Sequence, residues 1–123
     1  MRMPDDVRAE ATAMVAIADA DEPSLAGAFT AGERAYAESK SDPTRRLAAR
    51  LAAKHAALVA LGGELELADV EVVRGRGGPP RIELSERARA RLLALGGERM
   101  LVSLTHGRTH AAAAVLVLGP PAR

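Results

Sequence analysis

Arg50 and Lys54 stand four residues apart, and His55 follows the lysine directly. On a helix that spacing puts both cations on one edge, where they either grip a phosphate or form a solvated basic face. His55 falls in a stripe with Leu47, Leu51 and Leu58, at intervals of 4, 4 and 3. It reads as a core histidine or, if a cleft opens there, as an acid–base group, since an imidazole titrates near neutrality. Asp19, Asp21 and Glu22 follow a short apolar run. Carboxylates at a strand end can hold magnesium, a hard cation that takes oxygen ligands, or they simply end the strand. Ser103, Thr105, His106 and His110 gather near the C-terminus, with no spacing that makes a nucleophile–base pair or a zinc motif. Gly75-Arg76-Gly77-Gly78 is glycine-rich but opens no helix, so a hairpin turn fits it and a phosphate-binding loop does not.

These residues need elements to hold them. Residues 1–12 are polar and read as a disordered tail ahead of a single domain over 13–119. Residues 14–18 read as a short strand. Thr30 and Glu33 have capping-box spacing, a Thr oxygen for the third helical amide and a Glu reaching back, and start a helix that runs to about Ser39. Asp42 and Pro43 suit the N-cap and first position of the longest helix, which Gly62-Gly63 stops. Residues 69–74 and 81–84 pair as a hairpin. Ser85 caps a third helix to about Leu95, and residues 99–105 and 109–118 form two last strands. The order β-α-α-β-β-α-β-β gives an α+β fold, a small antiparallel sheet packed on one long and two shorter helices.

Composition narrows the function classes. The chain has 123 residues, enough for one domain, and 17 Lys+Arg against 16 Asp+Glu leave a net charge of +1. That balance argues against a general nucleic-acid or membrane-surface binder, and with only Phe29 and Tyr36 as aromatics there is no base-stacking platform. Cysteine is absent, which excludes disulfides, thiolate metal sites and cysteine nucleophiles. The apolar run 111–118 is far too short to span a bilayer. Asp5, Asp6 and Glu10 occupy the place where a signal peptide needs a basic and then an apolar start. The expectation is a cytoplasmic protein.

The ordered set Phe29-Thr30-x-x-Glu33, Leu47-Ala-Ala-Arg50-Leu-Ala-Ala-Lys54, Asp69-Val-Glu-Val72, Gly78-x-Pro80, Val102-Ser-Leu-Thr-His106 and 111–117 resembles the holo-acyl-carrier-protein synthase family of phosphopantetheinyl transferases. The resemblance covers residues 14–118. It implies a small α+β homotrimer with sites between subunits. It implies transfer of the 4'-phosphopantetheine arm of coenzyme A onto an acyl carrier protein serine, with magnesium. By position it gives Asp19, with Glu22 beside it, to the metal. Lys54 goes to the coenzyme A phosphates, where the spacing above puts Arg50 beside it, and Ser103, His106, Gly78 and Pro80 go to the nucleotide.

The family pattern is broken in three places. His55 stands where the family has a second metal-binding Glu, directly after the Lys. Val59 stands where a second Lys is usual. Nine residues separate Asp19 from Phe29, where the family has a whole helix with arginine contacts to the carrier. Neutral imidazole is a poor ligand for a hard cation. The alternative to a divergent transferase is therefore a family-fold protein without transfer activity. It would be a carrier-binding regulator, or an acid–base enzyme acting through His55 and Asp19 on a carrier-bound acyl or polyketide chain (a dehydratase, isomerase or cyclase).

Overall fold

Arg8, Glu10, Thr12 and Met14 alternate with Ala9, Ala11, Ala13 and Val15, and the first set is exposed while the second is half-buried. In the computed structural model of the chain, which describes residues 5–74 and 77–121 (Ser24 and Ala26 by backbone only), this stretch is strand β1 (Asp6–Ala16). Residues 6–12, expected in a tail, thus pair with the last strand, Asp6 facing Gly119 and Thr12 facing Ala114. The two-residue period was in the sequence, but alanine is so weak a strand former that it masks the alternation. The expected strand over 14–18 ends at Ala16, and Ile17–Asp21 and Pro23–Ala28 are 3-10 turns.

The remaining elements follow the expected order. Helix α1 (Ala31–Glu38) carries the complete capping box of Thr30 and Glu33. Helix α2 (Pro43–Leu61) ends at Gly62, whose φ of 69° a glycine adopts without strain. Asp42 holds the N-cap position but its side chain caps nothing; it pairs with Arg46 one turn on, at 3.1 Å. Strands β2 (Val70–Arg74) and β3 (Pro80–Leu84) form a hairpin with Val72 opposite Ile82. The expected turn at Gly75 and Arg76 lies outside the described residues. Helix α3 (Glu86–Ala94) starts at Ser85, whose side chain accepts from the Ala88 amide. Strands β4 (Arg99–His106) and β5 (His110–Gly119) complete an antiparallel sheet in the order β1-β5-β4.

The core lies between the inner face of that sheet and α2. Ala52, Ala53, Ala56 and Ala57 are fully buried on the helix, against Ala113, Val115 and Val117 of β5 and the inward alanines of β1. Small residues on both sides let the helix pack closely on the sheet. From α3, Ala88 and Leu92 close one end. Among the described residues no helix is long and apolar enough to cross a membrane.

Gly119 shows how tight the closure is. A Cβ there would stand 2.2 Å from the Gly96 carbonyl oxygen, a backbone atom that cannot swing away. Gly119→Ala is expected to cost about 1–3 kcal/mol, the range for overpacking. Gly107→Ala, with 3.9 Å to its nearest neighbour, should stay within about 0.5 kcal/mol. Urea unfolding of the two variants checks the contrast.

A second prediction concerns acid. Asp69 accepts from Ser85 Oγ at 2.7 Å and from Arg87 Nη2 at 2.6 Å, tying the start of β2 to the start of α3. The Arg87 hydrogen bonds, then the Glu66 amide and the Ser85 hydroxyl, hold the Asp69 carboxyl well below its ordinary 3.8. A carboxylate with a depressed folded pKa contributes stability above its unfolded value, and that stability is lost as the pH falls below it. Asp69→Asn should therefore lower the melting temperature at pH 7, and the gap to the unsubstituted protein should narrow below about pH 4.

Candidate active site

Helix α2 carries Arg46, Arg50 and Lys54 at successive intervals of four, and the fold gives them different surroundings. Arg46 and Arg50 face the end of β4. With Arg74 at the end of β2, and with Ala49, Leu104, Thr105 and His106, they line a cleft of about 280 Å³. Arg50 is only 3% exposed. Its guanidinium lies 4.0 Å over the Tyr36 ring, a stacked cation–π contact, and its Nη1 donates to the Arg46 carbonyl at 3.3 Å. Its Nε has no partner among the described residues. Burial lowers the Arg50 pKa, with Tyr36 acting the other way, yet a guanidinium does not lose its charge in a protein. Asp42 stands at the rim through its bond to Arg46, which holds its carboxyl below the usual range.

Among the described residues no carboxylate lines the cleft. Three guanidiniums and an imidazole converge there, one guanidinium with an unused donor. Planar forked donors match phosphate oxygens, so the arrangement suits a phosphorylated ligand. Arg50 and His106 were expected at such a site and the structure brings them together. Arg46, Arg74 and Tyr36 were missed. Arg46 was within reach, being one turn before Arg50 on the same helix edge. Arg74 joins only because β2 ends beside the helix, and single-strand spacing carries no sign of that.

Lys54 goes elsewhere. Its side chain is fully buried, and its Nζ donates to Glu33 Oε1 at 2.6 Å. The same Glu33 oxygen accepts from the Thr30 amide at 2.9 Å, and Oε2 accepts from the Val72 amide at 2.9 Å. The Thr30 hydroxyl in turn donates to Glu71. Lys54 also lies 5.8 Å over the Phe29 ring. Glu33 therefore joins α1, α2 and β2. Lys54 is the counter-charge for that buried carboxylate, and it does not line the cleft. The expectation that it grips a phosphate is corrected by the second role of Glu33, which the capping-box pattern alone does not disclose.

His55 is exposed, so it is no core histidine. The buried face of α2 is the alanine face, and the leucine stripe lies at its edge, with Leu51 buried and Leu47 and Leu58 half-buried. Asp19 and Glu22 are exposed at the 3-10 turn and its end, and Asp21 beside them accepts from Thr44 Oγ1 at 3.1 Å. The turn packs Ala20 against Ala48 and Ala49, in the first half of α2. Among the described residues no hydrogen bond or ion pair joins His55 to Asp19, and no three His, Asp or Glu side chains come together where they could hold a metal. As a donor set, Asp19, Glu22 and His55 do not fit magnesium.

Ser103 is exposed on the outer face of the sheet, opposite Ala114, while His106 belongs to the cleft. Ser103 lines an apolar groove there with Pro80, Leu101 and Leu116. Gly78 lies half-buried just before β3. Within one chain, Ser103 thus sits apart from the cleft, while Pro80 faces Arg74 across the β2–β3 hairpin.

No protein-family model matches the chain. A holo-[acyl-carrier-protein] synthase of Moorella thermoacetica is 44% identical over 96 residues, which are 76% of this chain and 75% of that protein. Among solved structures, the acyl carrier protein synthase of Mycobacterium tuberculosis superposes with a TM-score of 0.72 at 34% identity, covering 94% of this chain and all of that one. A complex of the Chronobacterium ammoniagenes synthase with CoA has a TM-score of 0.76 at 26% identity, covering 93% of this chain and 98% of that one.

Proposed function

The chain belongs to the holo-acyl-carrier-protein synthase family, and we propose that it transfers the 4'-phosphopantetheine arm of coenzyme A to a serine of an acyl carrier protein. The observation that carries this is the cleft of Arg46, Arg50, Arg74 and His106. Coenzyme A brings a diphosphate and a ribose phosphate, and a carboxylate-free cleft of guanidiniums is complementary to such a ligand. In the transfer, the serine oxygen forms a bond to the phosphorus that carries pantetheine. The bond from that phosphorus to the bridging oxygen breaks, 3',5'-ADP leaves with the negative charge, and the serine proton passes to water. Guanidiniums gathered at one cleft stabilise charge building on the leaving oxygens, which is the main demand of phosphoryl transfer. Arg50 is preset for this by the Tyr36 ring and the Arg46 carbonyl.

Calorimetric titration tests the cleft. Coenzyme A should bind at one site per chain, and pantetheine, which lacks the phosphates, should not bind detectably. Equal binding of both would overturn the assignment.

The reading extends to a homotrimer in the cytoplasm, with Ser103, Gly78 and Pro80 serving the nucleotide from a neighbouring copy. Its support is the outer face of the sheet, where Met14 is 70% exposed and Leu101 43% among Ala112, Ala114 and Leu116. An exposed apolar patch of this kind, bordered by Thr12, Ser103 and Thr105, marks an interaction surface. Met14→Glu combined with Leu101→Glu should reduce the particle to one chain by light scattering, with the circular dichroism unchanged. A particle mass that does not move would contradict the assigned face.

A further inference from the structure

Taking the cleft as the coenzyme A site, we propose that this chain neutralises the ligand's phosphates with its own guanidinium groups and binds coenzyme A without a protein-held divalent cation. Magnesium, which the family resemblance implies, is ordinarily held through one or two carboxylates and keeps several waters. Four of the described carboxylates are already committed. Glu33 is buried with both oxygens occupied by Lys54, the Thr30 amide and the Val72 amide. Asp69 is taken by Arg87 and Ser85, Asp42 by Arg46 and Asp21 by Thr44. Asp19 and Glu22 are exposed at a short turn, without the partners that would make a cation site among the described residues. His55, exposed on α2, offers a nitrogen ligand ill-suited to a hard cation.

The cleft supplies what the carboxylates do not. Arg46, Arg50 and Arg74, set against the Asp42 carboxylate bonded to Arg46, leave two net positive charges among these four side chains. Unlike a metal site, that charge is permanent, since arginine stays protonated. Arg50 lines the cleft with a charged, forked donor, and its Nε, though buried, has no partner among the described residues. The chain therefore binds the phosphates as a fixed cationic clamp.

The test titrates coenzyme A into the full chain in excess EDTA and again in millimolar magnesium. The expected dissociation constants agree within about twofold, where a cation required for binding would separate them by about tenfold or more. The variant Asp19→Asn with Glu22→Gln, both at exposed positions, should leave the affinity in magnesium unchanged. Tight binding in magnesium alone, or its loss in that variant, would overturn the clamp and leave the coenzyme A reading standing. Absence of binding in both buffers would overturn the coenzyme A reading, and the clamp with it.

Discussion

Lys54→Met is expected to destabilise the fold by about 3–5 kcal/mol, because it strands a buried carboxylate. Glu33 is 1% exposed and Lys54 is fully buried, so water cannot replace the lost ammonium. The two backbone amides at Thr30 and Val72 remain, but they do not neutralise the charge. Domains of this size have about 5–15 kcal/mol in total, and a loss of that order lowers the melting temperature by about 10–25 °C. The double variant Lys54→Met with Glu33→Gln removes the stranded charge and should recover part of the loss, a coupling of about 0.5–3 kcal/mol. Thermal and urea unfolding followed by circular dichroism measure both. If Lys54 instead gripped a phosphate, Lys54→Met would keep the stability and lose coenzyme A affinity.

Arg50→Ala is the second large effect, and it acts on binding. Truncating a buried, charge-assisted contact costs about 2–4 kcal/mol, so coenzyme A affinity should fall about a hundredfold. Arg50→Lys keeps the charge but loses the fork and the stack on Tyr36, and its affinity should fall between the two. Tyr36→Leu removes only the plane on which the guanidinium rests, and about a tenfold loss is expected from poorer positioning. Titration calorimetry reads all three. An Arg50→Ala affinity within a factor of about two of the unsubstituted chain would remove the arginine cleft from the account.

These two residues also show what the sequence could and could not disclose. Helix α2 was legible from its ends, through Asp42-Pro43 and Gly62, and so were both hairpins and the capping box at Thr30. Its burial was not. The leucine stripe suggested one narrow apolar face, whereas the alanines bury most of the circumference and take Arg50 and Lys54 in with them. Alanine is too small to announce a core by hydrophobic periodicity, and it hid β1 for the same reason. The candidate site was half legible. Arg50 and His106 were named from their motifs, but Arg74 reaches the cleft through tertiary packing. Lys54 changes role because Glu33 approaches it from a different helix, and His55 emerges on the exposed side of α2. Ser103 lies on the far face of the sheet because strand alternation puts it opposite His106.

The most direct test of the transferase reading is the mass of an apo acyl carrier protein after incubation with this chain, coenzyme A and magnesium. The expected result is an increase by one phosphopantetheinyl group, with 3',5'-ADP released in equal amount and both reduced in Arg50→Ala. Several carriers, including those of the source organism, all left at their starting mass while the chain binds coenzyme A, would contradict it and make the protein a non-transferring relative.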